Sequence, residues 1–313
     1  MSSQHPHSPS TLSIAVTGAT GLIGTALVTQ LRARGHTVRR ILHSPRGVGP
    51  GDVVWNAGMG AVPPTALAGT DAVIHLAGEP IAHRWTEDRK RAIRESRVRS
   101  TELLADAVRA MGTKPAVFLT GSAIGYYGDR GDDLLDESSG PGRGFLADVC
   151  VDWERAAAPI AASGVRVVTL RTGVVLSPAG GALAKLLPIF RLGGGGPLGT
   201  GRQWLSWISL TDHVRAMEHA LVTESLHGAA NLVAPNPVTN ADFATILGRV
   251  LSRPAIVPVP AFALEFLYGE MARATLLAGQ RVVPKVLSSA GFEFETPTLE
   301  GALRTELKTA GEP

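Results

Sequence analysis

Apolar positions run along this chain in two alternating rhythms. Leu12, Ile14 and Val16 form a short β-rich run, after which Leu22, Ile23, Ala26, Leu27 and Leu31 recur at helical spacing. Glycines punctuate the join between the two, and Gly35 marks a helix stop. Thr37 to Leu42 predicts a second strand and Asp52 to Trp55 a third. The nearly continuous apolar run from Asp71 to Ala77 predicts a strand covered on both faces, as in a parallel sheet. Residues 86–111 predict a long helix that Thr86 caps and Gly112 closes. A strand over Ala116 to Thr120, a helix over 144–162 and a strand over Val165 to Arg171 follow. Beyond Gly173 the alternation loosens. Gly193 to Gly199 reads as a loop over a cleft, and 211–224, 240–252 and 262–278 predict helices.

Strand–helix units first and helices with loops later indicate an α/β protein. The expected architecture is a Rossmann-type doubly wound parallel sheet with a smaller, mostly helical C-terminal substrate lobe. Residues 1–11 are expected to be a disordered tail and 12–178 a nucleotide-binding domain, to which segments at about 205–235 return. Residues 179–313 then form the substrate lobe.

Composition narrows the function classes. With 44% hydrophobic residues over 313 positions, the chain can bury a sizeable core. The densest basic cluster, Arg89 to Arg99, is interleaved with Glu87, Asp88 and Glu95, which reads as a solvated helix face rather than a nucleic-acid stripe. Cys150 is the only cysteine, so neither a disulfide framework nor a cysteine metal site is expected. His5 and His7 sit in the tail, where loose chain competes with adventitious metal binding. No apolar run reaches the ~18 residues of a membrane span, and residues 1–10 lack the pattern of a signal peptide. A cytoplasmic protein with no metal, nucleic-acid or membrane partner is expected, with a small-molecule substrate and a homodimer as the partner expectations.

The candidate chemistry lies at the carboxyl ends of the strands, where open α/β sheets bind ligands. Thr17-Gly18-Ala19-Thr20-Gly21-Leu22-Ile23-Gly24 joins the first strand to the first helix, and small residues there admit a diphosphate to the helix N-terminus. A tight turn with close packing would also call for glycine. The tip of the second strand reads His43-Ser44-Pro45-Arg46. An acidic residue at this place bonds a ribose 2′-hydroxyl and a cation accommodates a 2′-phosphate. NADP(H) is therefore favoured over NAD(H), with a solvent-directed Arg46 as the competing reading. Leu76, Ala77, Gly78 and Glu79 end the fourth strand over the same site, whereas His75 inside that run reads as a core histidine. Ser122, Tyr126 and Tyr127 cluster after the fifth strand, where catalysis is expected, and Thr172 follows the sixth. Turn-capping and ordinary packing compete for the serine and tyrosines. Arg171 and Arg202-Gln203-Trp204 are candidates for an anionic substrate, with core packing expected for at least one of Trp204 and Trp207.

These residues resemble the extended branch of the short-chain dehydrogenase/reductase superfamily, whose T-G-x-x-G-x-x-G loop Thr17 to Gly24 matches. More narrowly, the chain is similar to atypical "epimerase family" proteins with a short C-terminal domain of unknown function. The similarity rests on His75 to Ile81, Arg84-Trp85-Thr86, Glu95 to Val98, Gly121 to Gly128, Trp153-Glu154 and Leu170 to Leu176. It continues through Leu267 to Met271, Gln280 to Pro284 and Ala290 to Phe294, which places the C-terminal domain at about 258–306. The resemblance implies a nicotinamide cofactor, aligns Ser122 with the superfamily's active-site serine, and puts Arg97 where extended members place a cofactor-contacting asparagine.

One part of the family pattern is missing. The superfamily's proton exchange relies on a tyrosine four residues before a lysine. The three tyrosines here, Tyr126, Tyr127 and Tyr268, are followed at that spacing by Arg130, Gly131 and Ala272. Where the pair would fall stand Phe145 and Leu146, neither of which transfers a proton. Two functions fit this combination: an oxidoreductase or epimerase-like enzyme using NADP(H) on a small polar or nucleotide-linked substrate, and a non-catalytic NADP-binding regulator.

Overall fold

The structure is a computed structural model, and it describes residues 11–309. The tail with His5 and His7 lies outside the described residues.

Seven parallel strands form the main sheet: β1 (Ser13–Thr17), β2 (Thr37–Leu42), β3 (Val53–Val54), β4 (Ala72–His75), β5 (Val117–Ala123), β6 (Arg166–Thr172) and β7 (Gly228–Leu232). Their spatial order is β7-β6-β5-β4-β1-β2-β3, reversing direction of travel at β1/β4. Helices α1 (Leu22–Ala33), α2 (Glu87–Ala110), α3 (Phe145–Ala156), α4 (Gly181–Arg191), α5 (Leu210–Val222), α6 (Asn240–Val250), α7 (Ala261–Tyr268) and α8 (Leu299–Thr309) surround it. The central strands read as unbroken apolar runs because both faces are covered. Ile14, Val16, Ile74 and Leu119 pack with Leu27, Leu31, Val214 and Met217 of α1 and α5. Ala15, Val73 and Phe118 pack on the other face with Leu104 and Val108 of α2. Successive side chains of a strand point to opposite faces, so each strand serves both layers.

Several expectations are refined. The strand expected to end at Thr120 continues to Ala123, carrying Ser122 into the sheet opposite Arg171. The helix expected over 144–162 breaks at Ala157, and a short turn from Ala158 to Ala162 carries Pro159, which has no amide to continue the ladder. The helix expected over 262–278 stops at Gly269 and resumes as a π turn over Ala272–Leu276. An unanticipated strand, Val174–Leu176, pairs in parallel with Trp207–Ser209.

The last fifty residues are tied across the sheet's carboxyl edge by buried polar side chains. Ser206 donates to the carbonyls of Gln280 and Val282 and accepts from the Val282 amide. Asp212, at the start of α5, accepts from the amides of Glu295 and Thr296 and from the Thr296 hydroxyl. Glu306 of α8 accepts from the amide and hydroxyl of Thr211. Among the described residues no helix is long and apolar enough to cross a membrane, and no cluster of acids, histidines and cysteine could hold a metal.

Candidate functional site

The loop between β1 and α1 gives its three glycines different surroundings. Gly18 has φ 68°, and a methyl group there would lie 2.6 Å from the Leu76 carbonyl carbon. A methyl on Gly24 would lie 2.1 Å from the Gly18 carbonyl oxygen. Gly21, between them, is exposed, and a methyl there meets only the Gly18 oxygen at 3.4 Å. The first glycine thus lets the loop meet β4, the third lets α1 close on the loop, and the second leaves bare backbone facing outward. Thr20 and Gly21 are exposed, Ala19 and Gly24 are buried, and Leu22 packs against Gly180 before α4. The cradle therefore fits a dinucleotide diphosphate at the N-terminus of α1.

Buried hydrogen bonds fix the facing strand. Ser100 donates to the Ser96 carbonyl, so it accepts from His75 Nε2, leaving Nδ1 as the acceptor for the Thr17 hydroxyl at 2.6 Å. Thr17 in turn accepts from the Ala77 amide. This chain clamps the start of the glycine loop to the Leu76-Ala77-Gly78 edge and bears out the reading of His75 as a core residue. Burial, with the Arg97 charge nearby, pushes the His75 pKa down to about 3, so the ring is neutral.

Arg97 reaches back over this edge. Its Nη1 donates to the carbonyls of Glu79 and Ile93, and its guanidinium lies 5.2 Å from the Trp153 ring centroid. A methyl on Gly78 would stand 3.1 Å from the Arg97 guanidinium carbon, so that position is kept bare as well. The Glu79 backbone amide donates to Ser96 Oγ, and the Glu79 carboxylate pairs with Arg89. At the tip of β2, His43, Ser44 and Arg46 are all exposed. The nearby acid, Asp52, is turned inward and paired with Arg40, which also donates to the Gly47 carbonyl. The segment bearing Arg46 is thus framed, and its one adjacent carboxylate is already paired.

On the other side of β4 lies a buried polar network. Trp153 packs so closely on Gly121 that a methyl there would be 2.9 Å from its ring. That contact brings the next residue, Glu154, beside the ends of β5 and β6. Ser122 donates to Glu154 Oε1 at 2.7 Å. Arg171 donates from Nε and Nη2 to the two carboxylate oxygens, each at 2.9 Å, and from Nη1 to the Tyr127 hydroxyl at 3.0 Å. Tyr127 donates its hydroxyl hydrogen to Asn231 Oδ1, and Asn231 donates to the Val283 carbonyl in the C-terminal segment. Burial alone would lower the Arg171 pKa, but the Glu154 carboxylate outweighs it and the shift is upward. Burial raises the Tyr127 pKa despite Arg171.

The sequence candidates therefore separate. Tyr127 is sealed, at 0% exposure, with its hydroxyl used on both sides. Tyr126 is half-buried, and its hydroxyl has no hydrogen-bond partner among the described residues. Ser122 is 5% exposed and Arg171 4%, so both lie beneath the cleft surface. Thr172 turns its hydroxyl to His213, whose pKa burial pushes down to about 3. Gln203 donates to the carbonyls of Leu198 and Leu276, tying the glycine-rich loop to the π turn. Trp204 bonds Asp132 and carries the Arg281 guanidinium on its face, Arg202 is exposed, and Trp207 is the core tryptophan. Cys150 is buried, with burial and the Glu154 charge pushing its thiol up to about 11, which suits packing rather than attack.

Sequence reasoning missed Glu154, Asn231 and His213 as parts of this assembly. For Glu154 a signal existed: an acid on the apolar face of α3, beside Cys150 and Trp153. Asn231 and His213 stand in ordinary-looking strand and helix, and only the fold shows their partners.

Known proteins share both the sequence and the fold. Residues 14–232 match the model of the NAD dependent epimerase/dehydratase family, and residues 259–306 match a domain of unknown function, DUF1731. The Mycobacterium bovis epimerase family protein Mb2239 is 46% identical over 291 residues, covering 93% of this chain and 96% of that protein. The crystal structure of human epimerase family protein SDR39U1 with NADPH superposes with a TM-score of 0.88 at 35% identity, covering 95% of this chain and 99% of that one. A Corynebacterium glutamicum structure described as a nucleoside-diphosphate sugar epimerase gives 0.79 at 38% identity, covering 95% of this chain and 58% of that one. The chain belongs to the NAD dependent epimerase/dehydratase family, in its epimerase family branch with a C-terminal DUF1731 domain.

Proposed function

We propose that the protein is an NADP(H)-dependent oxidoreductase or epimerase-like enzyme on a small polar substrate, with Tyr126 as its proton donor. The carrying observation is the glycine cradle: bare at Gly21, sterically closed at Gly18 and Gly24. The phosphate-bearing cofactor is favoured by the β2 tip, where His43, Ser44 and Arg46 are exposed and Asp52 is committed to Arg40. The human relative solved with NADPH supports the same choice. Leu76, Ala77, Gly78, Glu79, Arg97 and Thr172 would line the rest of the cofactor site. The Corynebacterium relative's description supports a nucleotide-linked substrate, for which Arg202 and Trp204 are the candidate contacts.

When bound, the reduced cofactor supplies a hydride to a carbonyl carbon. The chain supplies the proton that balances it. Tyr126 is the free phenol at this edge, and a tyrosine without a neighbouring lysine remains a usable acid while being a poor base. Ser122 directs its own hydrogen to Glu154, so its oxygen is left only as an acceptor and does not donate to a substrate carbonyl.

Titration with NADPH and NADH tests the cofactor assignment. NADPH is expected to bind more tightly, and Arg46→Ala to weaken NADPH about tenfold, as loss of one charge-assisted phosphate contact does, with NADH unaffected. Equal loss for both nucleotides would overturn the role of Arg46. The regulator reading is favoured by one observation: Phe145 and Leu146 pack with Trp85, Val149 and Met271, so apolar side chains occupy the usual place of the tyrosine–lysine pair. NADPH-dependent capture of a protein partner, with no hydride transfer across a carbonyl and sugar-nucleotide panel, would select it.

A further inference from the structure

A phenol at the carboxyl edge is useful only if its ring is held. The lysine that usually accompanies it is absent from α3. The register of β5 and β6 puts Ser122 directly opposite Arg171, and the Arg171 guanidinium carbon lies 3.5 Å from the Tyr126 ring centroid. The same group is 5.2 Å from the Tyr127 ring, which meets Tyr126 edge-on at 5.3 Å. Glu154 fixes the guanidinium plane through two bonds of 2.9 Å and holds Ser122 through a third bond. One carboxylate therefore sets the orientation of Ser122 and of the cation on which Tyr126 lies.

We propose that Arg171, oriented by Glu154, is the positioning residue for Tyr126: its guanidinium supports the phenol ring from β6 and supplies the positive charge that α3 lacks. This rests on the reading of Tyr126 as the proton donor. Arginine suits the place because its planar fork grips a carboxylate with its edge while its face stacks on an aromatic ring, a combination that an ammonium cannot achieve. Burial strengthens the contact, since water does not compete for the cation. Arg171 lies against the Tyr126 ring and Glu154 behind Arg171, so of these two charges the cation is the nearer. Both members of the Trp153-Glu154 pair of α3 contribute, because the tryptophan sets the approach of the helix and the glutamate sets the plane of the arginine.

Nitration by tetranitromethane, which attacks ionised phenol, tests the proposal without requiring a substrate. The extent at Tyr126 is read by peptide mass against Tyr268, an exposed tyrosine on α7 that serves as an internal standard. The Tyr126/Tyr268 ratio is expected to fall about fivefold in Arg171→Gln, which keeps a planar polar head without the charge, and by a smaller, about two- to threefold, amount in Arg171→Lys, which keeps the charge without the fork that fixes its plane. A ratio that is unchanged or higher in Arg171→Gln would mean that the arginine only fills space, and would overturn the proposal. Should Arg171→Gln fail to fold, Arg171→Lys decides alone: a fall of about two- to threefold supports the positioning role, and an unchanged or higher ratio overturns it. NADPH titration of the same variants is expected to match the parent within about twofold, because no cradle residue is changed. Failure of the parent to bind NADPH would refute the cofactor assignment, while the nitration ratio would still report on Arg171 and Tyr126.

Discussion

Glycine, at the scale of single residues, carries two separable messages in this chain. Gly24 is required by the fold, since a methyl there would sit 2.1 Å from a backbone oxygen that cannot move without displacing the loop. Gly21 meets nothing closer than 3.4 Å and has no positive φ, so alanine fits the unliganded chain. Gly21→Ala is therefore expected to melt within a few degrees of the parent yet lose affinity for NADPH, because the added methyl occupies the approach of the diphosphate. Gly24→Ala is expected to cost about 1–3 kcal/mol of stability, as overpacking does, measured by urea unfolding. If Gly21→Ala bound nucleotide normally, the diphosphate would not lie on this loop. The sequence pattern shows that glycines stand here but not which of them faces a ligand. Distinguishing them takes the distance from each position to the neighbouring backbone.

At the scale of elements, local rhythm revealed the sheet, and the ends of elements were harder to read. Both faces of β4 and β5 are covered, so their continuous apolar runs were visible in the sequence. The break at Ala157 and the stop at Gly269 depend on local turn chemistry inside stretches whose apolar spacing continues. The polar network was legible residue by residue for Ser122, Tyr126, Tyr127 and Arg171, but not as a unit. Its assembly depends on a parallel register that places residues 49 apart side by side, and no local pattern encodes that. The same holds for the C-terminal segment, whose docking rests on side chains such as Asp212. That carboxylate, 1% exposed, serves the amides of Glu295 and Thr296, the Thr296 hydroxyl and the Arg215 guanidinium. Asp212→Ala leaves the buried Thr296 amide without its acceptor and is expected to cost about 1–3 kcal/mol. Limited proteolysis should then cut within residues 290–298 first, whereas cleavage elsewhere would show that the segment is held by its apolar contacts instead.

For the molecule as a whole, the buried polar groups set a response to acid. His75 and His213 are both 0% exposed, and burial pushes each pKa down to about 3 from 6.5. Their shift is downward for a base, so the unfolded chain takes up these protons while the folded chain still refuses them. Stability is therefore unaffected above about pH 6.5 and falls between 6.5 and 3, by about 1.4 kcal/mol per pH unit for each histidine once the unfolded ring is charged. Asp136 acts in the same direction over a lower window: hydrogen bonds from Lys285 and Ser138 hold it at about 2, so its contribution is lost as pH falls below its ordinary value of 3.8. Glu137 and Glu306 oppose this, because burial raises their pKa values and protonation relieves that cost. Asp136 therefore acts only below its ordinary value, whereas Glu137 and Glu306 act from 4.5 upward and offset part of the decline that the two histidines produce below pH 6.5. Urea unfolding from pH 6.5 to 5 is expected to show stability declining with the uptake of up to two protons, and His213→Asn, which cannot charge, is expected to make the slope shallower. A flat profile from pH 6.5 to 5 would mean that water reaches both rings and that the clamp between the glycine loop and β4 is looser than its hydrogen bonds imply.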